Sequence, residues 1–248
     1  MNVPKPNWGW ASLPFLLLLW IALASRYPSY ILPQPWDVAH EAWHWLRNGS
    51  LWKQFKVSLM EELGGFVTAV VVALLAGTAG GLSSRFRDFT APLNSLFMAI
   101  PPIAWAPLTM IIFGLGYFSI MLVIFIAAMF PMAVTIQEGV QGIRGGEVHT
   151  ARTLGANQHQ LLAYVYLPAS LPFVTAALRI GFSQAWRALV AAEMIGATQG
   201  IGWMVSMGGQ IGNSSQVLLG IVLIGLIAWL MESLVFRHLE QHYQKWRV

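Results

Sequence analysis

The chain is 248 residues long, 56% hydrophobic and only 10% charged, with a mean hydropathy of +0.60. Soluble domains carry about 25% charged residues, so a water-soluble globule is excluded, and the absence of Cys excludes a disulfide scaffold. A net charge of +4 scattered along the chain excludes a nucleic-acid binder, while 12 Trp and 23 Gly suit helices packed in lipid. The composition is that of an all-α, polytopic membrane protein.

A spanning helix takes about 20 apolar residues, so uncharged runs between charges mark the spans. Lys5 to Arg26 encloses 20 uncharged residues, including ASLPFLLLLWIALA, and predicts a first span at about 9–25. Ala22-Leu23-Ala24 also has the small-residue pattern of a signal-peptidase site; the segment is read as a retained span.

The stretch 26–57 is polar. Within it His40-Glu41-Ala42-Trp43-His44 fits H-E-x-x-H, where two His one turn apart can hold zinc and the Glu can act as general base. Arg47 stands where one extended zinc motif needs Gly, and no further ligand follows beyond Glu61 or Glu62. Asp37 can cap a helix here and Asn48-Gly49 can end it, with Trp43, Trp45 and Leu46 suited to a membrane surface. An interfacial helix is expected, with a membrane zinc metalloprotease on His40, Glu41 and His44 as the alternative.

Glu62 to Arg85 encloses 22 uncharged residues, the second span. Gly77 and Gly81 form a G-x-x-x-G pair around Gly80, which permits close helix approach within the chain or between copies. The 49 uncharged residues from Asp88 to Glu138 hold two spans parted near Gly114–Tyr117, and Pro101, Pro102 and Pro107 should break or kink the earlier one. Irregular backbone at that depth either lines a cavity or is buried in protein.

The next polar stretch is 138–168. Asn157 can cap a helix, Gly155 before it suits a tight turn, and Pro168 and Pro172 mark the bend into a further span. The expectation is a short helix, a Gly turn and a second helix.

The fifth span, between Pro172 and Ala197, carries Thr175, Arg179, Ser183, Arg187 and Glu193 within an arc of roughly 120°. A charge near the bilayer centre costs roughly 2.5–3.5 kcal/mol, so such groups face protein or water. Ser183, Arg187 and Glu193 therefore either line a translocation path or fix packing against other helices or a second copy. Arg187 and Glu193 stand about 9 Å apart along the axis on different edges of the stripe, which argues against direct pairing. Arg179 is expected to snorkel to the interface. Gly196–Gly212 reads as a loop and Ser215–Leu230 as the last span. The tail RHLEQHYQKWRV extends that helix, with Trp246 near an interface, and His159, His238 and His242 read as solvated.

Six spans in one transmembrane domain, 1–248, follow, with core spans over about 62–230. With both termini inside, Lys5, Arg85, Arg87, Arg144, Arg152, Arg237, Lys245 and Arg247 lie on the inner side against Arg26, Arg47, Lys53 and Lys56 outside. That asymmetry favours cytoplasmic termini.

The segment 147–172, EVHTARTLGANQHQLLAYVYLPASLP, resembles the cytoplasmic loop of ABC-importer permeases, whose pattern is EAA, three residues, Gly, nine residues, Ile-x-Leu-Pro. Here it reads His149-Thr150-Ala151, Gly155, then Val165-Tyr166-Leu167-Pro168, with every interval kept. LVAAEMI at 189–195, IPPIAWAPL at 100–108 and FGLG at 113–116 match as well, and the likeness is to the nitrate/sulfonate/taurine branch. Two positions depart from it: His149 replaces the leading Glu, with Glu147 two places upstream, and Glu61 and Glu62 stand where relatives often carry a basic residue.

The resemblance implies a type I ABC-importer permease in a bacterial inner membrane, working as a homodimer with an ATP-binding cassette subunit and an external substrate-binding protein. Glu147, His149, Thr150, Ala151, Gly155, Ala156, Leu167 and Pro168 would form the coupling surface for the ATPase. The solute would be a small anion of the taurine, alkanesulfonate or nitrate kind. No catalysis or cofactor is expected in this chain, with ATP and Mg held by the partner. The sequence contains no G-x-x-x-x-G-K-[ST], so energy comes from a partner or, in the remaining alternative of an ion-coupled secondary transporter, from an ion gradient.

Overall fold

Polar residues at positions 54, 58, 61 and 62 recur at helical spacing ahead of the second uncharged run, and the helix they belong to starts earlier than charge counting places it. The computed structural model describes residues 11–143 and 145–239. Lys5, Arg144, His242, Lys245, Trp246 and Arg247 lie outside the described residues, as do the side chains of Glu147 and Leu167.

Among the described residues every regular element is helical. The first, α1 (Ser12–Ala24), is 13 residues long with its leucines exposed on every side. It is tied to the following loop by Trp20 Nε1, which donates to the Pro33 carbonyl at 3.0 Å. Next, α2 (Pro35–Arg47) begins with Pro in the first turn, where its missing N–H is no loss. Its cap is Gln34 rather than Asp37: Asp37 sits in the first turn and accepts from the Gln34 backbone N–H at 2.9 Å. Asn48 and Gly49, at φ +68°, end it as expected.

A 33-residue helix, α3 (Ser50–Leu82), then carries Gln54, Ser58, Glu61 and Glu62 inward while Lys53 and Lys56 stay exposed. The third span is two helices, α4 (Ser84–Ala99) and α5 (Trp105–Phe113), bent by 85° where Pro101 and Pro102 remove backbone donors. Gly114 and Gly116, at φ +83° and +128°, turn the chain into α6 (Tyr117–Gly142). Two short helices follow, α7 (Gly145–Thr153) and α8 (Gln158–Leu161), the latter running through a π-helical stretch Leu162–Tyr166 into α9 (Leu167–Gly196). The glycine-rich stretch expected to be a loop contains a helix, α10 (Ile201–Gln210), whose glycines let it pack closely. The last, α11 (Ser214–Leu230), continues as a π-helical segment, Met231–Phe236.

Three helices, α3, α6 and α11, are each long and apolar enough to cross a membrane, and the bent pairs α4–α5 and α8–α9 bring the number to five. The expected sixth is α1, whose 13 residues reach about 20 Å against a hydrocarbon core of about 30 Å.

The core is the packing of α3, α6 and α9 on one another, and its interfaces are built from small side chains: Ala69, Ala73, Ala128, Ala177, Ala185 and Ala192. Small residues let backbones approach where lipid gives apolar side chains no reason to leave it. The G-x-x-x-G pair serves this seam. A Cβ on Gly77 would lie 2.7 Å from the Ala133 carbonyl of α6, and one on Gly81 2.5 Å from Val140 Cβ. The close approach is within the chain.

Candidate functional site

The polar stripe of α9 divides in the folded chain. Arg179, Ser183 and Arg187, at i, i+4 and i+8, lie on one exposed face, while Thr175 and Glu193 are buried at 6% and 1% exposure. Arg187 folds back along the helix: its Nε donates to the Ser183 carbonyl at 2.9 Å and its Nη2 to Ser183 Oγ at 2.7 Å. That uses two of the five guanidinium N–H groups. These side chains, with Gln184, Arg179 and Glu232, line an open cavity of about 380 Å³. Arg179 forms an ion pair with Glu232 of the π-helical segment after α11.

Glu193 has a different setting. One carboxylate oxygen accepts from Ser58 Oγ at 2.5 Å and the other from the Gly202 N–H at 2.6 Å. The buried N-terminus of α10 receives two more partners from α3: Gln54 Oε1 accepts from the Gly200 N–H at 2.7 Å and Ser58 Oγ from the Ile201 N–H at 2.8 Å. The first N–H groups of a helix have no partner inside it, and a carboxylate is the strongest acceptor available for them. The Glu193 carboxyl group from α9 and hydroxyl and amide groups from α3 thus hold α10 in the bundle. Glu61 and Glu62 lie beside this node, 3% and 2% exposed, and Glu61 Oε2 and both Glu62 oxygens have no hydrogen-bond partner in the protein. Gln54, Ser58, Glu61 and Glu62 were not among the residues the sequence singled out as a group. Their spacing of i, i+4, i+7 and i+8 on an otherwise apolar-faced helix is the signal that marks them.

The loop between α6 and α9 has the expected form. Asn157 Oδ1 accepts from the Gln160 N–H at 2.9 Å and Gln160 Oε1 from the Asn157 N–H at 2.8 Å, a reciprocal cap. Gly155 before it has φ +86°. His149, Thr150 and Pro168 are exposed, Ala151 and Ala156 half-buried. Two large apolar side chains stand out of this polar surface, Leu154 at 83% and Tyr164 at 78% exposure.

The H-E-x-x-H stretch forms no metal centre. His40 and His44 are exposed on α2, while Glu41 accepts from Trp45 Nε1 at 3.0 Å and Asn213 Nδ2 at 3.3 Å, joining α2 to the start of α11. Among the described residues no three His, Cys, Asp or Glu side chains come together to hold a metal. The protease alternative is set aside: its Glu serves a helix junction, and its two His stay on the exposed face of α2.

Residues 65–247 match the family described as binding-protein-dependent transport system inner membrane component. The chain is 34% identical over 242 residues to the taurine transport system permease protein TauC of Escherichia coli, covering 95% of this chain and 88% of that protein. It is 30% identical over 236 residues to the nitrate import permease protein NrtB of Synechococcus elongatus, covering 90% and 85%. An inward-facing structure of the MetNI methionine ABC transporter superposes with a TM-score of 0.60 at 21% identity, over 80% of this chain and 98% of that one.

Proposed function

The chain belongs to the family of binding-protein-dependent transport inner-membrane components, and from that premise we propose that it carries a small organic or inorganic anion, with a sulfonate first in line, across the membrane. It is a transmembrane permease subunit of an ABC importer, a transport subunit. Its energy source in this reading is a separate ATP-binding subunit, which sets the ion-coupled carrier aside.

The observation that carries the reading is the open face of α9, where Arg187 and Ser183 present N–H and O–H donors to a cavity of about 380 Å³. A guanidinium with unused N–H groups recognises planar or tetrahedral oxyanions. The names of the taurine and nitrate relatives agree with that chemistry. A second copy would cover this face and enclose the path. Glu193, tied to Ser58 and Gly202, would position the path's outer end rather than touch solute.

In the working cycle, nucleotide-driven closure of two ATPase subunits would draw the α7–α8 loops together through Glu147, His149, Thr150, Ala151, Gly155, Ala156, Leu167 and Pro168, with Leu154 and Tyr164 seated in the partner. The ligand binds one of two states better and shifts the equilibrium between them. Both termini would be cytoplasmic and the binding protein would dock at the α2 and α10 end.

Two outcomes test this. Purification of the tagged chain in mild detergent should recover a P-loop ATPase in equal amount, and Gly155→Asp should lose it, because a β-carbon at φ +86° strains the turn. Recovery of intact permease without an ATPase overturns the reading. In proteoliposomes holding the full complex, Arg187→Gln should lower ATP-driven taurine uptake by about tenfold to a hundredfold, the value of one charge-assisted contact, with assembly intact. Loss of assembly instead assigns Arg187 to packing.

A further inference from the structure

The ion pair between Arg179 and Glu232 sits between two cavities. On one side is the α9 cavity with Ser183, Gln184 and Arg187. On the other is a second cavity of about 380 Å³ lined by Arg179, Trp229, Glu232, Ser233 and Arg237. The two share Arg179 and Glu232 and no other lining residue. Arg187, Arg179 and Arg237 therefore mark three successive cationic stations, and the middle one is occupied by a carboxylate of the protein itself. Glu232 is brought there by the π-helical register of Met231–Phe236, which also buries Phe236 against Phe182 at a ring separation of 5.3 Å.

We propose that Glu232 is an internal counter-anion and, with Arg179, the inner gate of the path. Resting on the anion reading above, the inference adds how the path is sealed. A carboxylate on Arg179 blocks the route in the same chemical terms in which a solute anion would travel it, and an arriving oxyanion opens the route by replacing it. In the single chain both partners keep close to half of their side-chain surface uncovered, at 45% and 43%, so neither is locked in by packing around it. Facing a water-filled path, an ion pair of this kind is weak and exchanges readily, as a gate that opens in every cycle requires. The pair closes on the side of α9 nearer the α7–α8 loop, so movement of that loop acts on it through the first turns of α9.

The test uses the assembled complex in liposomes, trapped with ATP and vanadate so that the outer mouth is open and only an inner gate can hold anions back. Chloride entry, read by an entrapped chloride-quenched dye, needs no knowledge of the solute. Glu232→Gln is expected to raise chloride entry by about twofold to fivefold, the effect of removing one electrostatic barrier of ion-pair size. The exchange Arg179→Glu with Glu232→Arg rebuilds the pair and with it the helix contact. It should restore the seal, with chloride entry returning to that of the unaltered complex.

Unchanged chloride entry in Glu232→Gln overturns the gate. Chloride entry that stays raised in the exchanged pair also overturns it, because a rebuilt ion pair would then fail to seal the path. If Glu232→Gln does not assemble, the exchanged pair decides alone. Absence of taurine uptake in the unaltered complex counts against the solute class, and the chloride arm still decides the gate.

Discussion

Glu193→Ala is expected to lower the stability of the solubilised permease by about 2–4 kcal/mol, the cost of leaving two buried hydrogen-bond donors without an acceptor. The carboxylate accepts from Ser58 and Gly202 across three helices, and its loss leaves a buried N–H of α10 with nothing to receive it. Glu193→Gln keeps the shape and one acceptor oxygen and should cost only about 1–2 kcal/mol. Titration with denaturing detergent, followed by circular dichroism, separates the two. Equal stability of Ala and Gln variants would mean that α10 is held by its apolar contacts, Ile201 and Met204, and not by the node. Gly200→Ala offers a second route to the same point, since its φ of +114° and the Glu193 carboxylate beside it leave a methyl no place.

The second large effect concerns the seam between α3 and α6. Gly65→Leu places a Cβ 2.7 Å from Ile124 Cβ and 2.8 Å from the Met121 carbonyl. Backbone cannot yield as a flexible side chain can, so the helices must part, at a cost of about 3 kcal/mol or more. Gly225→Leu on α11 meets nothing within 4 Å and should change stability by less than about 0.5 kcal/mol. Comparable loss in both variants would show that added bulk in lipid, and not the seam, is responsible.

Charge spacing and proline placement made the spans legible, because both act locally: an uncharged run is apolar whatever it packs against, and Pro101-Pro102 breaks a helix in any setting. The α7–α8 turn was equally legible, since Asn157 and Gly155 act on their own backbone. The interior was less so. Whether Arg179, Arg187 and Glu193 line or pack depends on which neighbour each meets, and those neighbours, Glu232, Ser183 and Ser58, are set by tertiary contacts. For the same reason H-E-x-x-H carried chemistry in the sequence and none in the fold: Asn213, far along the chain, takes the Glu41 carboxylate. The helix α10 was missed because its glycines read as a loop, although their role is close packing against α9 and α11.

The unequal apolarity of the helices has a consequence for biosynthesis. A nascent segment leaves the translocation channel for lipid when its own hydropathy suffices, and α6 and α11 meet that condition unaided. With two arginines α9 falls short, and it enters as part of a bent pair with the residues before it. Its inward face fits α6, already made, whereas the counter-charge for Arg179 is synthesised only at the end of α11. A chain truncated before Glu232 would therefore lack this counter-charge, and it should accumulate in membranes less than one extended past that residue.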